Sequence, residues 1–99
     1  METSPLRQLL DDKKPEILAL AEKYNLYNVR VFGSVARGED TEDSDIDLLI
    51  DMDKGNGLFN WFEFWADVRE LLERNVDVIP EKNLRWYLKK QVLSEARPL

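Results

Sequence analysis

One stretch, Ser44-Asp45-Ile46-Asp47-Leu48-Leu49-Ile50, constrains this chain more than any other. Side chains alternate along an extended backbone, so Ile46, Leu48 and Ile50 fall on one face of a strand and Asp45 and Asp47 on the other. A strand divided this way predicts a half-buried sheet, with a core on one side and a pair of carboxylates on the other. The two aspartates stand roughly 6.6 Å apart along the chain. Carboxylates so placed repel one another, and a divalent cation resolves that cost. Mg²⁺ takes one or two carboxylates, with phosphate oxygens and water completing its shell.

The charge pattern points to the same place. The chain has 99 residues and a net charge of −6. Eight of its acids (Glu39, Asp40, Glu42, Asp43, Asp45, Asp47, Asp51, Asp53) lie between Arg37 and Lys54 without an intervening base. The remainder is nearly neutral. A local cluster of acids suggests a cation site, whereas long nucleic acid is a poor partner for such a surface. The chain contains no histidine and no cysteine. Thiolate and imidazole chemistry is therefore excluded, and a metal here must be held by oxygen, which favours Mg²⁺, Mn²⁺ or Ca²⁺. The length predicts one domain over residues 1–99. No signal pattern or membrane span is expected, and a cytoplasmic location is.

Ser4-Pro5 predicts the start of a helical segment reaching about Tyr24, with Pro15 dividing it into two helices and Asn25 as a left-handed stop. A strand is expected over about Asn28 to Phe32, with Val29 and Val31 on one face. Gly33-Ser34 ends it, and residues 35–44 form a turn or a single helical turn. The aspartate strand runs from about Asp45 to Met52, followed by a turn at Lys54-Gly55-Asn56-Gly57. A helix from about Leu58 to Arg74 comes next, then a strand from Val76 to Ile79 stopped by Pro80. Asn83 is expected to cap a last helix carrying Leu84, Leu88 and Val92.

The strand–helix–strand unit from Asp45 to Ile79 should be parallel with a right-handed crossover. The link from Gly33 to Asp45 is too short for a crossover helix, so the first two strands should be antiparallel. The expected fold is α+β (α/β by another convention): a small mixed three-stranded sheet with flanking helices. This topology puts Gly33-Ser34 against Asp45. Glycine permits close approach of a phosphate, and the serine hydroxyl and neighbouring amides can hold one. It also brings Asp77 to the edge occupied by Asp45 and Asp47. Three carboxylates there could hold two cations about 3.5–4 Å apart, a device for in-line displacement at phosphorus.

Gly33-Ser34-Val35-Ala36-Arg37-Gly38, then Ser44-Asp45-Ile46-Asp47-Leu48-Leu49-Ile50 and a later strand aspartate, resemble the minimal nucleotidyltransferases, which share a palm-like core with DNA polymerase β. The likeness extends over essentially the whole chain. It implies that Ser34 binds a terminal phosphate of ATP or another nucleoside triphosphate, with Gly33 allowing the approach and Arg37 as a further phosphate contact. It implies that Asp45 and Asp47 bind two Mg²⁺ ions, with Mn²⁺ as a substitute, and that Asp77 binds the catalytic ion and helps activate the acceptor hydroxyl. Members of the family are often paired with a HEPN-domain toxin, which some silence by attaching AMP to a tyrosine. The implied function is AMP transfer from ATP to such a partner; the alternative is an antitoxin that acts by complex formation alone. A second copy of the chain could also help hold the acceptor.

Other residues admit plainer readings. Asp51 and Asp53 read as surface acids, and Glu39, Asp40, Glu42 and Asp43 as a solvated loop. Arg37 could instead pair with that loop. Leu58, Phe59, Trp61, Phe62, Trp65, Val68 and Leu72 fit one apolar helix face and read as core. Phe64 and Leu71 fall outside that face, and either pack on a neighbouring helix or contribute to a protein–protein contact. Trp86 or Tyr87 could stack on a base, although core packing is the better fit. Lys89-Lys90 read as a solvated face.

Overall fold

The computed structural model describes residues 4–55 and 57–99; Asn56 of the expected turn and residues 1–3 lie outside them. Helix α1 spans Pro5–Lys23. Its cap is Ser4, whose Oγ accepts the Arg7 amide at 3.0 Å. Pro15 does not divide this helix, contrary to expectation. Pro15 and Asp11, four residues before it, are both exposed. Water can therefore satisfy the carbonyl left without an amide, while Leu6, Leu10, Ile17 and Ala21 anchor one buried stripe on either side of the proline. Asn25, at φ +60°, ends the helix as expected.

Strand β1 is Leu26–Phe32, followed directly by a five-residue helix, α2, at Gly33–Arg37. Strand β2 is Ile46–Met52, helix α3 is Leu58–Leu72 and strand β3 is Val76–Pro80. A 3₁₀ turn over Glu81–Asn83 precedes helix α4, Trp86–Glu95, and a short strand β4, Arg97–Pro98. The sheet order is β3-β2-β1-β4. β1 and β2 are antiparallel and β2 and β3 parallel, as the connection lengths require. The sheet has four strands rather than three, because β4 pairs with the free edge of β1. A two-residue strand containing proline carries no alternating pattern to read.

Leu26, Val29 and Val31 are all buried. The register slips between Tyr27 and Arg30, with Asn28 at φ +53°, and this bulge lets Leu26 and Val29 face inward together. Ile46, Leu48 and Ile50 meet them from β2, and α1 and α3 close the core over that face.

Helix α3 is rotated from its expected setting. Phe64, Val68 and Leu72 are buried, and Trp61, Trp65 and Leu71 pack at the margin of the core. Phe64 is fully buried, which rules it out as a contact for another protein. Leu58, Phe59 and Phe62, expected in the core, are exposed. The wide apolar arc hid a narrower stripe at 61, 64, 65, 68, 71 and 72. The indole N–H groups of Trp61 and Trp65 donate to the Val78 and Val76 carbonyls at 2.7 and 2.6 Å, occupying acceptors of the edge strand. Helix α4 starts later than expected, with Arg85 rather than Asn83 at its cap position. Leu84 is extended, because residues 81–83 have already turned the chain after Pro80. Trp86 and Tyr87 are exposed rather than core.

Candidate active site

Three residues form a row across the sheet. Phe32, the last residue of β1, is the register partner of Asp47, and Asp47 is in turn the partner of Asp77. Gly33 and Ser34 follow Phe32 directly. The end of β1 thus lies beside Asp47, two residues along β2 from the expected position beside Asp45. Asp45 sits just before β2 and is exposed. Gly33, Ser34, Asp45, Asp47 and Asp77 therefore gather at one edge of the sheet: two open α2, one immediately precedes β2, and two lie in strands.

Gly33 has a definite reason to be glycine. Its φ is +71°, and a Cβ there would collide with Oδ2 of Asp47. The backbone must come this close for α2 to begin against the carboxylate. Burial pushes the Asp47 carboxyl up to about 6, with the neighbouring charges of Asp77 and Asp45 adding to the rise and Arg37 opposing it. A half-buried carboxylate whose neighbours are also carboxylates is short of positive charge. Among the described residues no three acidic side chains form a ready-made metal cage. The donor set nevertheless fits a hard divalent cation: every candidate is a carboxylate oxygen, Asp77 and Asp45 both act on Asp47, and the chain has no histidine or cysteine as a softer ligand.

Arg37 sits at the end of α2. Its guanidinium donates to Glu39 and to Glu95 of α4, each at 3.1 Å. These contacts match the plainer reading of this residue, although its charge still reaches Asp47. The loop leading to Asp45 is not merely solvated. Asp40 Oδ2 accepts the Leu6 amide at 3.3 Å, tying the loop to the first turn of α1. Arg74 donates to the Glu42 carbonyl at 2.7 Å, and Ser44 Oγ accepts the Thr41 amide at 2.9 Å. A cavity of about 650 Å³ borders Asp45 on this side, between the loop and the end of α3, with Trp65, Arg69 and Arg74 among its walls. Glu39, Glu42 and Asp43 are exposed, as expected.

The sequence of the nucleotidyltransferase domain family matches residues 17–99. The chain belongs to that family. This nucleotidyltransferase is 36% identical over 76 residues to protein adenylyltransferase MntA of Thermococcus cleftensis, covering 77% of each chain. It is 38% identical over 90 residues to a candidate protein adenylyltransferase of Methanocaldococcus jannaschii, covering 90% of this chain and 89% of that one. Its fold matches the structure of a candidate minimal nucleotidyltransferase with a TM-score of 0.84 at 40% identity, over 93% and 94% of the two chains. A toxin–antitoxin structure with AMP-PNP shares the fold with a TM-score of 0.73 at 21% identity, over 86% and 70%.

The nucleotidyltransferase also contains groups that sequence reasoning did not single out. Arg30 is buried and donates to Glu81 at 2.6 Å, to Asp51 at 2.8 Å and to the Asn28 carbonyl at 3.0 Å. It locks β1, β2 and the 3₁₀ turn together on the face that carries Asp47. Asp51, read as a surface acid, belongs to this network, while Asp53 accepts the Tyr27 hydroxyl. An arginine at an alternating position of β1, on the same sheet face as Asp51 and paired in register with Leu49, was the available signal for the Arg30 pair. Nothing local announces Asp40 or Arg74, whose partners lie 34 and 32 residues away. No helix among the described residues is long and apolar enough to cross a membrane.

Proposed function

We propose that residues 1–99 act as one catalytic unit that transfers AMP from ATP to a hydroxyl of a HEPN-domain partner and thereby silences it. The observation that carries this reading is the row Phe32–Asp47–Asp77, with Gly33 fitted against the Asp47 carboxylate. Asp45, Asp47 and Asp77 would hold two Mg²⁺ ions, which Mn²⁺ could replace. Bound metal supplies polarisation of the phosphates and neutralises the charge of the departing pyrophosphate. Ser34 holds the terminal phosphate of the triphosphate, Gly33 keeps the backbone out of its way, and Arg37 adds positive charge nearby. Asp77 faces the acceptor and assists removal of its proton. The acceptor oxygen then bonds to the α-phosphorus as the bond to pyrophosphate breaks. A cytoplasmic location fits an activity that draws on ATP.

The names of the relatives support this reading: MntA is a protein adenylyltransferase, and one structural neighbour pairs a tri-AMPylated HEPN toxin from Shewanella oneidensis with an antitoxin of this type. The test is intact-mass measurement of the HEPN-domain protein of the same organism after incubation with this chain, ATP and Mg²⁺. AMP-sized increments are expected with the wild type and none with Asp47→Asn. The exposed aromatic residues favour one other reading, neutralisation by complex formation alone. A toxin silenced without any mass increment would decide for it.

A further inference from the structure

The end of the molecule away from the aspartates carries an apolar surface that the fold does not use. Leu58, Phe59 and Phe62 are 76%, 82% and 51% exposed. With Trp61 they enclose a shallow hollow of about 300 Å³. An adjoining groove runs from Met52 and Leu58 to Pro80, Lys82 and Asn83. Monomeric proteins rarely leave neighbouring large apolar side chains open to water without a use for them.

The charges around this surface select its occupant. Lys82 lines the groove, Lys54 precedes the patch and Arg85 follows it. Between Glu81 and Glu95 the chain has four cations and no acid. Of the nearby acids, Glu81 and Asp51 share the single charge of Arg30 and Asp53 accepts the uncharged Tyr27 hydroxyl; with Glu63 on α3 they still leave an excess of cations from Lys54, Lys82, Arg85, Lys89 and Lys90. Two copies meeting through this patch about a two-fold axis would bring like charges together. The complementary occupant is a different protein, with an apolar surface rimmed by acids.

We propose that this face docks the acceptor protein of the transfer reaction, an inference that rests on the transfer reading above. The five residue steps along β2 from Asp47 to Met52 separate the face from the reacting edge by roughly 17 Å. Docking here leaves the edge open, and the acceptor hydroxyl reaches it from a body already held. Binding and chemistry then fall on separate surfaces of the same fold.

The test compares the wild type with Phe59→Ser/Phe62→Ser and with Lys82→Glu/Arg85→Glu. Sedimentation velocity and calorimetry measure complex formation with the HEPN-domain protein of the same organism, and intact mass follows AMP transfer to it. A short peptide bearing the same hydroxyl serves as a second acceptor. Both variants are expected to weaken the complex at least tenfold and to raise KM for the folded acceptor. Neither should change binding of AMP-PNP with Mg²⁺ or turnover of the peptide. The charge variant covers the case in which the serine variant fails to fold. Variants that bind like the wild type, a wild type that forms no complex, or a wild-type dimer abolished by the variants would each overturn the proposal. A complex that is weakened by the variants, yet supports no transfer, would sustain this docking surface and defeat the transfer reading.

Discussion

Asp47 is the residue at which burial and charge conflict most. Its carboxyl is pushed up to about 6 by burial first and by Asp77 and Asp45 next. A raised carboxyl favours the folded state while it is protonated, and that contribution is lost as pH rises from about 4 through about 6. In the presence of a chelator, Asp47→Asn should therefore melt higher than the wild type at pH 7 and level with it at pH 4. Paired thermal melts at the two values check this; a difference that does not depend on pH would remove the electrostatic explanation. The same logic separates the roles of the neighbouring residues. Ser34→Ala should weaken calorimetric binding of AMP-PNP with Mg²⁺, whereas Asp77→Asn should leave binding largely intact and remove turnover. Loss of binding in Asp77→Asn as complete as in Asp45→Asn would show that roles are not divided this way. Asp45, Asp47 and Asp77 were legible in the sequence because strand periodicity and the length of a crossover determine which edge they share. Arg30 was only half legible as an anchor: alternation sets it on the face of Asp51, but the register that joins them passes a bulge, and Glu81 is 51 residues distant.

Among the elements, α3 was read with the right residues and the wrong rotation. Seven apolar positions in a row of near neighbours define an arc so wide that its centre cannot be located from periodicity alone. Burial places the centre at Phe64, with Val68 and Leu72 beside it. Phe64→Ala should accordingly cost about 3–5 kcal/mol, the usual range for emptying a buried phenylalanine site. Phe59→Ser, on the exposed side, should stay within about half a kcal/mol. Urea titrations of the two variants distinguish them directly, and equal losses would return Phe59 to the core. The flanking tryptophans explain a further feature of this helix. Each spends its indole N–H on a carbonyl of the edge strand, so α3 packs over the core and screens the rim of the sheet at once. Such a contact joins a helix position to a strand acceptor, and neither segment's own pattern contains it. Helix α1 shows the opposite case. Its Pro15 is a strong local signal, overridden because the burial of Leu10 and Ile17 does not depend on the amide that proline lacks.

At the scale of the whole molecule, the two ends of the sheet differ in chemistry: carboxylates at one, bare aromatic and aliphatic side chains with lysines at the other. The mixed topology behind this division was legible from connection lengths, while the fourth strand was not, since it exists only through its pairing with β1. The tryptophans divide in the same uneven way, and this gives the chain an optical property. Trp61 and Trp65 are half-buried and hydrogen-bonded to backbone, whereas Trp86 is 86% exposed. Acrylamide should therefore quench the intrinsic emission in two classes, with a readily quenched, red-shifted component that disappears in Trp86→Phe. A single uniform quenching constant would contradict this division. Trp86 is thus a natural fluorescent reporter two residues C-terminal to Leu84 and three beyond Asn83 of the groove, able to signal by a blue shift when that end of the protein is covered.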